Sequence, residues 1–317
     1  MRSILAVFLF WHCLSVATRA ADPRQAIAAF SSLGSITLEK LATGTIAIES
    51  NTSMQLARGI SSQACYFVAA PVEQVREFLP TWDGKVHPEL EILDHRDFQN
   101  EQEAAALRFD EKLPPIVQLM NEMRKPESLQ LTRQERAQLP ATLSTETAQA
   151  YWDAILRARW RNFAASGLKP NSGGFDVRNE LKTLLAEEPK AAAHFAALLA
   201  ETPITKDSPC FPVNCYWSLS NVNKIAAVSL GAIYRKDNQI ADLEFYVSSG
   251  YLTALTLYEL YPIEAGGKTG TLVWQGNFAS SDLLAGAFGL KRKIAGRAME
   301  GDALQKIRLF QKDATRP

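Results

Sequence analysis

His95 and Asp97 stand two residues apart in a stretch that reads as a β-strand, so their side chains share one face and lie within reach of each other. A His–Asp pair of this kind can serve as a general-base dyad. A surface polar pair is the commoner use of the same spacing, and it is the reading preferred. His87 follows Trp82-Asp83-Gly84 in a loop and reads as solvated. His194 lies among alanines on a helix. The adjacent carboxylates Glu187 and Glu188, and the pair Asp94 and Asp97, have no spacing diagnostic of glycosidase chemistry. The chain has no G-x-S-x-G elbow, no P-loop, no strand-linked G-x-G-x-x-G and no H-E-x-x-H. No catalytic residue and no cofactor is therefore assigned.

The cysteines carry a different chemistry. Cys210 and Cys215 bracket Phe-Pro-Val-Asn, a turn-like tetrapeptide, and a bridge between them is expected in an oxidising compartment. Cys65 sits in an apolar strand context and reads as a buried free thiol. Three free thiols are the alternative. There is no Cys-x-x-Cys pair and no nearby His, so no metal site is expected.

The compartment follows from the first residues. Arg2 gives a positive start, Ile4 to Trp11 an apolar run, and Ala17-Thr18-Arg19-Ala20-Ala21 small residues for cleavage. The run is shorter than the roughly 20 apolar residues of a membrane span. Residues 1–21 thus read as a signal peptide, and the mature chain as exported, periplasmic or extracellular. The 317 residues hold 34 basic and 34 acidic side chains; losing Arg2 and Arg19 leaves a net charge of about −2. That is not the basic footprint of a nucleic-acid partner.

These residues must be positioned by a mixed chain. Thr45–Glu49, Gly59–Ala69, Glu91–Phe98 and Ala104–Asp110 read as strands. Pro71 opens a short helix through Leu79. From about 114 to 209 the pattern is helical, with a Thr132/Glu135 capping box and Tyr151, Trp152, Ile155, Leu156, Trp160 and Phe163 at helical spacing. Five strands follow between Val213 and Phe278, with Asp237-Asn238 and Gly266-Gly267 as turns. A long helix is expected from Asp282 to about Phe310. Gly286, Gly289, Gly296 and Gly301 fall within it, each costing about 1 kcal/mol relative to Ala. Close approach of its backbone to a sheet or ligand is the expected compensation.

The stretch Phe67-Val68-Ala69-Ala70-Pro71-Val72-Glu73-Gln74-Val75-Arg76-Glu77-Phe78-Leu79 resembles the first strand–helix junction of START-like, or polyketide-cyclase-like, lipid-binding domains. Leu272 to Phe310 resembles that family's last strand and gripping helix. The resemblance implies an α+β helix-grip fold over residues 22–317, a curved antiparallel sheet closed by a long C-terminal helix. Residues about 114–209 depart from the family and would be a helical insertion.

The resemblance implies a function as well: binding an apolar small molecule or lipid between sheet and helix. On that reading Leu107, Phe109, Phe245, Leu272, Trp274 and Phe278 line the concave face. Leu283, Phe288, Leu290 and Ile294 close over them from the helix. Lys291, Arg292 and Lys293 form a basic face that can meet anionic headgroups of a membrane surface. A cyclase- or hydrolase-like enzyme in the same cavity is the first alternative. A protein-interaction module built on the helical segment is the second.

Overall fold

The computed structural model describes residues 22–104, 107–169, 175–206, 211–287 and 289–316. The expected signal peptide, Cys210 with its bridge to Cys215, and Phe288 lie outside the described residues. The elements run α1 (Pro23–Phe30), α2 (Leu38–Ala42), β1 (Ala47–Asn51), β2 (Gly59–Val68), α3 (Val72–Phe78) and β3 (Ile92–Phe98). A helical segment follows: α4 (Pro114–Met123), α5 (Arg133–Ala137), α6 (Thr145–Ser166), α7 (Val177–Ala186), α8 (Pro189–His194) and α9 (Ala196–Leu199). The chain then returns to strands, β4 (Asn214–Val222), β5 (Ile225–Lys236), β6 (Gln239–Val247), β7 (Thr253–Ala265) and β8 (Lys268–Ser280), and ends in α10 (Leu290–Ala314).

Local chemistry accounts for several boundaries. Pro71 precedes α3 and cannot extend a ladder. Thr132 and Glu135 cap α5 reciprocally, as their spacing predicts. Gly266 and Gly267 both take positive φ and close the β7–β8 hairpin, a backbone that side chains resist.

The fold is α+β. One eight-stranded sheet, every neighbouring pair antiparallel, has the order β1-β2-β8-β7-β6-β5-β4-β3. With α10 it accords with a helix-grip arrangement. Of the expected strand Ala104–Asp110, the described residues, 104 and 107–110, form no strand. Leu107 and Phe109 are buried, but their backbone N–H groups donate to the side chains of Asp153 and Gln149 on α6 instead of to a ladder.

The two faces of the sheet bury different things. On one face Cys65, Phe67, Leu272, Trp274 and Phe278 join a large core with α1, α2 and the helical segment. Trp274 meets Phe30 edge-on at 4.9 Å and Phe195 at 5.4 Å, and its indole N–H donates to Ser31 Oγ. Phe245 stacks on Phe163 at 3.9 Å. The alternate residues of the same strands, Ala64, Tyr66, Val68 and Val273, form a second core with Ile307, Phe310 and Ala314 of α10. Successive strand residues point to opposite faces, so α10 lies opposite Leu272, Trp274 and Phe278. The expectation that the last helix closes over those three is corrected. They are the more apolar set because a whole layer of helices covers them.

The last helix also starts later than expected. Asp282–Leu284 is a single 3₁₀ turn, and Gly286 and Gly289 precede α10 with φ of 80° and 55°. Both stand in open space, so the close approach expected at Gly289 is absent. Leu283, Leu290 and Ile294 are exposed and do not face the sheet. Gly296, by contrast, does make a close approach: a Cβ there would lie 2.5 Å from Thr52 and 2.7 Å from Ser50 Oγ of the β1 region.

Candidate functional site

The face of the sheet under α10 is apolar at one end only. Ile307, Phe310 and Ala314 pack on Tyr66, Val68, Ile233, Ile240 and Leu260 there. Beyond this end the face turns polar. Asp242 pairs with Thr256, Thr256 with Asn277, and Asn277 with Ser62, so four polar residues stand side by side on β6, β7, β8 and β2. Asp242, Thr256 and Asn277 are half-buried; Ser62 is buried. Asn277 gathers the row together. Its amide donates to Ser62 Oγ at 3.1 Å, and its carbonyl accepts from Gln275 at 2.8 Å. Gln275 in turn accepts from the Tyr66 hydroxyl at 3.2 Å.

Glu244 follows Asp242 on the same face, two residues along β6. Each carboxylate takes a tyrosine hydroxyl: Tyr216 donates to Asp242 at 2.8 Å and Tyr251 to Glu244 at 2.7 Å. Ser229 donates to Glu244 at 3.1 Å. Burial pushes both carboxyls above the ordinary range, against the pull of the Lys306 ammonium on α10; the charge of Asp242 raises Glu244 further. Burial likewise raises the phenols of Tyr216 and Tyr251, so both remain hydrogen-bond donors. The two carboxyls therefore combine a desolvated setting with surface that water still reaches, the condition under which a group can exchange partners or protons with a ligand.

His95 and Asp97 reach this cluster from β3. Their side chains lie 3.4 Å apart, His95 Nε2 to Asp97 Oδ1, and the His95 ring sits 5.3 Å from that of Tyr216. The alternation read from the sequence thus brings the pair together, beside the Tyr216–Asp242 bond. Among the described residues the other two histidines, His87 and His194, are structural. His87 and Trp82 both contact Asp313 of α10, at 2.6 and 2.9 Å, which ties the loop after α3 to the end of the helix. Burial works to raise Asp313, but these hydrogen bonds prevail and hold its carboxyl below the usual range. His194 meets Glu259 at 3.0 Å and stacks on Phe30. Glu187 accepts from the backbone N–H groups of Gln55 and Leu56, and Glu188 from Asn51, Ser61 and Gln63; both bind the helical segment to the β1–β2 edge.

Residues named from the sequence as apolar lining are dispersed. Leu107, Phe109, Phe245, Leu272, Trp274 and Phe278 belong to the packed core of the opposite face. Arg292 does not share the exposed basic face of Lys291 and Lys293. It is buried, and its guanidinium donates to the backbone carbonyls of Leu56, Ala57 and Gly59. Cys65 is a buried free thiol with its pKa pushed up by burial to about 12. Cys215 is likewise buried and unbridged among the described residues. Among those residues no cluster of His, Cys, Asp or Glu is placed to hold a metal, and no helix is long and apolar enough to cross a membrane.

The polar row went unread in the sequence. Asp242 and Glu244 alternate with Ala241, Leu243 and Phe245, which looks like a solvent face of a half-buried strand. The available signal lay in neighbouring strands. Thr256, Gln275 and Asn277 interrupt otherwise apolar segments, and several polar positions on one face need a shared explanation.

No family model matches the chain, and no curated protein matches it. Among solved structures, a START superfamily protein from Mycobacterium smegmatis is similar at 14% identity, covering 33% of this chain and 69% of that one, with a TM-score of 0.24. At that level the likeness assigns neither a function nor any site residue to this chain.

Proposed function

We propose that this is an exported protein that binds a small molecule between the sheet and α10, in a groove we assign to the polar side chains of that face. One observation carries the reading: Asp242, Thr256, Asn277 and Ser62 form a continuous cross-strand row where a helix-covered sheet would otherwise be apolar. The row's members already bond one another and Tyr216, so a ligand would meet the half-exposed side of Asp242, Thr256 and Asn277, which keeps acceptors and donors to spare. The ligand favoured by this chemistry presents N–H or O–H donors to Asp242 and Glu244. It is not the wholly apolar molecule that the resemblance implied. Export rests on the character of residues 1–21, and N-terminal sequencing of secreted protein tests it; a mature chain beginning at Met1 would count against it.

A membrane surface is a partner in the same reading. Lys291, Lys293 and Arg297 are exposed beside exposed Leu290 and Ile294, a combination suited to an anionic bilayer. An enzyme acting in the groove is the second reading, favoured by the His95–Asp97 pair beside two carboxyls of raised pKa.

The test is native mass spectrometry of purified protein, followed by extraction and identification of what is released. Asn277→Leu should fill the middle of the row and abolish co-purification. Retention of the same molecule at wild-type occupancy by Asn277→Leu would remove the groove from consideration.

A further inference from the structure

On the opposite face, where the helical segment meets the end of β6, lies a cleft of about 300 Å³. That is the lower end of the range for small-molecule sites. Its walls come from Leu129, Leu131, Val177, Phe245 and Leu252, all apolar. Its polar lining includes Tyr246 and Arg159, with Ser128, Gln130 and Thr132 along one side and Arg136 exposed. The Arg159 guanidinium lies over the Tyr246 ring, 3.8 Å from its centre. One of its terminal nitrogens is held by Glu135 at 2.8 Å and the Gln130 carbonyl at 3.0 Å.

Two donors are left over. Tyr246 is only 3% exposed, yet its hydroxyl has no hydrogen-bond partner; nor has Nε of Arg159. Buried polar atoms are nearly always paired, so an orphaned hydroxyl beside an orphaned guanidinium N–H asks for an acceptor. Arg159 is fixed in place by Glu135 and by stacking, so its unpaired N–H has little freedom to find a partner elsewhere. Glu127 and Asp282 also border the cleft. They favour an occupant whose negative end is inside, by Arg159, and whose remainder is uncharged.

We infer that this cleft is a second binding site, separate from the groove under α10, for a small organic carboxylate with an apolar body. The carboxylate accepts from Tyr246 Oη and Arg159 Nε, and the hydrocarbon lies along Phe245, Leu252 and Leu131. The inference does not depend on the groove being a binding site.

Decanoate titrated into the full chain by calorimetry, with decyltrimethylammonium as the cationic counterpart, tests it. Wild-type protein should bind decanoate and not the cation. Tyr246→Phe removes one hydroxyl and nothing else, and should weaken decanoate at least fivefold with an unchanged circular dichroism spectrum. Arg136→Ala should weaken it less, by loss of attraction. Asp242→Asn, on the other face, should leave it unchanged. Absence of decanoate binding to wild type, or equal affinity in Tyr246→Phe, overturns the site. So does a loss of binding in Asp242→Asn with Tyr246→Phe unaffected, which would move decanoate to the groove.

Discussion

The hydroxyl of Tyr216 reaches Asp242 across a residue that has no side chain. Tyr216 on β4 lies directly opposite Gly231 on β5, and Asp242 belongs to the next strand, β6. The phenol ring crosses over Gly231 to hydrogen-bond the carboxylate at 2.8 Å. A Cβ on Gly231 would sit 2.1 Å from Tyr216 Cζ and 2.4 Å from its oxygen. The glycine is thus a requirement of the site.

Gly231→Ala should accordingly push Tyr216 off Asp242. Overpacking of this kind costs about 1–3 kcal/mol, measurable by denaturant unfolding. Tyr216→Phe removes the same hydrogen bond without the clash and should cost less. Both should weaken any ligand held at Asp242. If Gly231→Ala is as stable as wild type, the ring does not lie where the bond requires it.

The carboxyls of Asp242 and Glu244 set a pH dependence. Burial raises both in the folded state, so the folded chain holds their protons more tightly than the unfolded chain does. Their contribution to stability is complete below the ordinary carboxylate range. It is lost as pH rises through their elevated values, the sign required when the native state binds more protons. Asp242→Asn with Glu244→Gln mimics the protonated pair. At neutral pH the double variant should be as stable as wild type or more so, by about 1 kcal/mol on the usual scale of single changes. Its loss of stability between mildly acidic and neutral pH should be shallower. A variant markedly less stable than wild type at neutral pH would show that the charged forms are the ones that stabilise.

How much of this was legible beforehand depends on what decides each feature. All eight strands followed from β-branched and aromatic runs bounded by turn residues, and the caps from short-range chemistry at Pro71, Thr132 and Gly266. Sidedness was not legible. Leu272, Trp274 and Phe278 announce a covered face, but nothing in their own strand says whether α10 or the helical segment covers it. The described residues of the expected strand Ala104–Asp110 depart from it for a similar cause. Leu107 and Phe109 alternate as a strand would, yet Asp153 and Gln149, more than 30 residues away, supply the partners of their N–H groups. His95 and Asp97 could be paired because their spacing is local; the Tyr216–Gly231–Asp242 crossing could not, because it spans three strands.

Arg292 separates a structural cation from its exposed neighbours. Its guanidinium holds the Leu56 and Ala57 carbonyls of the segment joining β1 to β2 and the Gly59 carbonyl at the start of β2. Replacing it by Met keeps the stem and removes all three bonds, while the Leu56 carbonyl still keeps the Gly59 N–H. Arg292→Met should cost about 2–4 kcal/mol, since hydrogen bonds to a charged donor are expensive to lose. Lys291→Ala and Lys293→Ala should stay within about 0.5 kcal/mol, and should weaken binding to vesicles containing phosphatidylserine if this face meets a membrane. Equal stability of all three variants would mean that Arg292 does not clamp the loop.

The glycines of α10 give two substitutions with opposite signs. Gly296 and Gly301 are both within the helix, where glycine is worth about 1 kcal/mol less than alanine. At Gly301 a Cβ meets open space and the residue is exposed. Gly301→Ala should therefore stabilise, by up to about 1 kcal/mol, partly by restricting the unfolded chain. At Gly296 the same methyl group runs into Thr52 Cγ2 and Ser50 Oγ, where the helix crosses the edge strand. Some of the helix-propensity gain is offset there, and a larger side chain has no room at all. Gly296→Leu should lose about 1–3 kcal/mol and lift the first half of α10 off β1, which also loosens the Glu300 contact to the Ser50 N–H. Hydrogen exchange at Ser50 reads that loosening directly. If Gly296→Leu is tolerated and Ser50 stays protected, the helix does not press on β1 at this point.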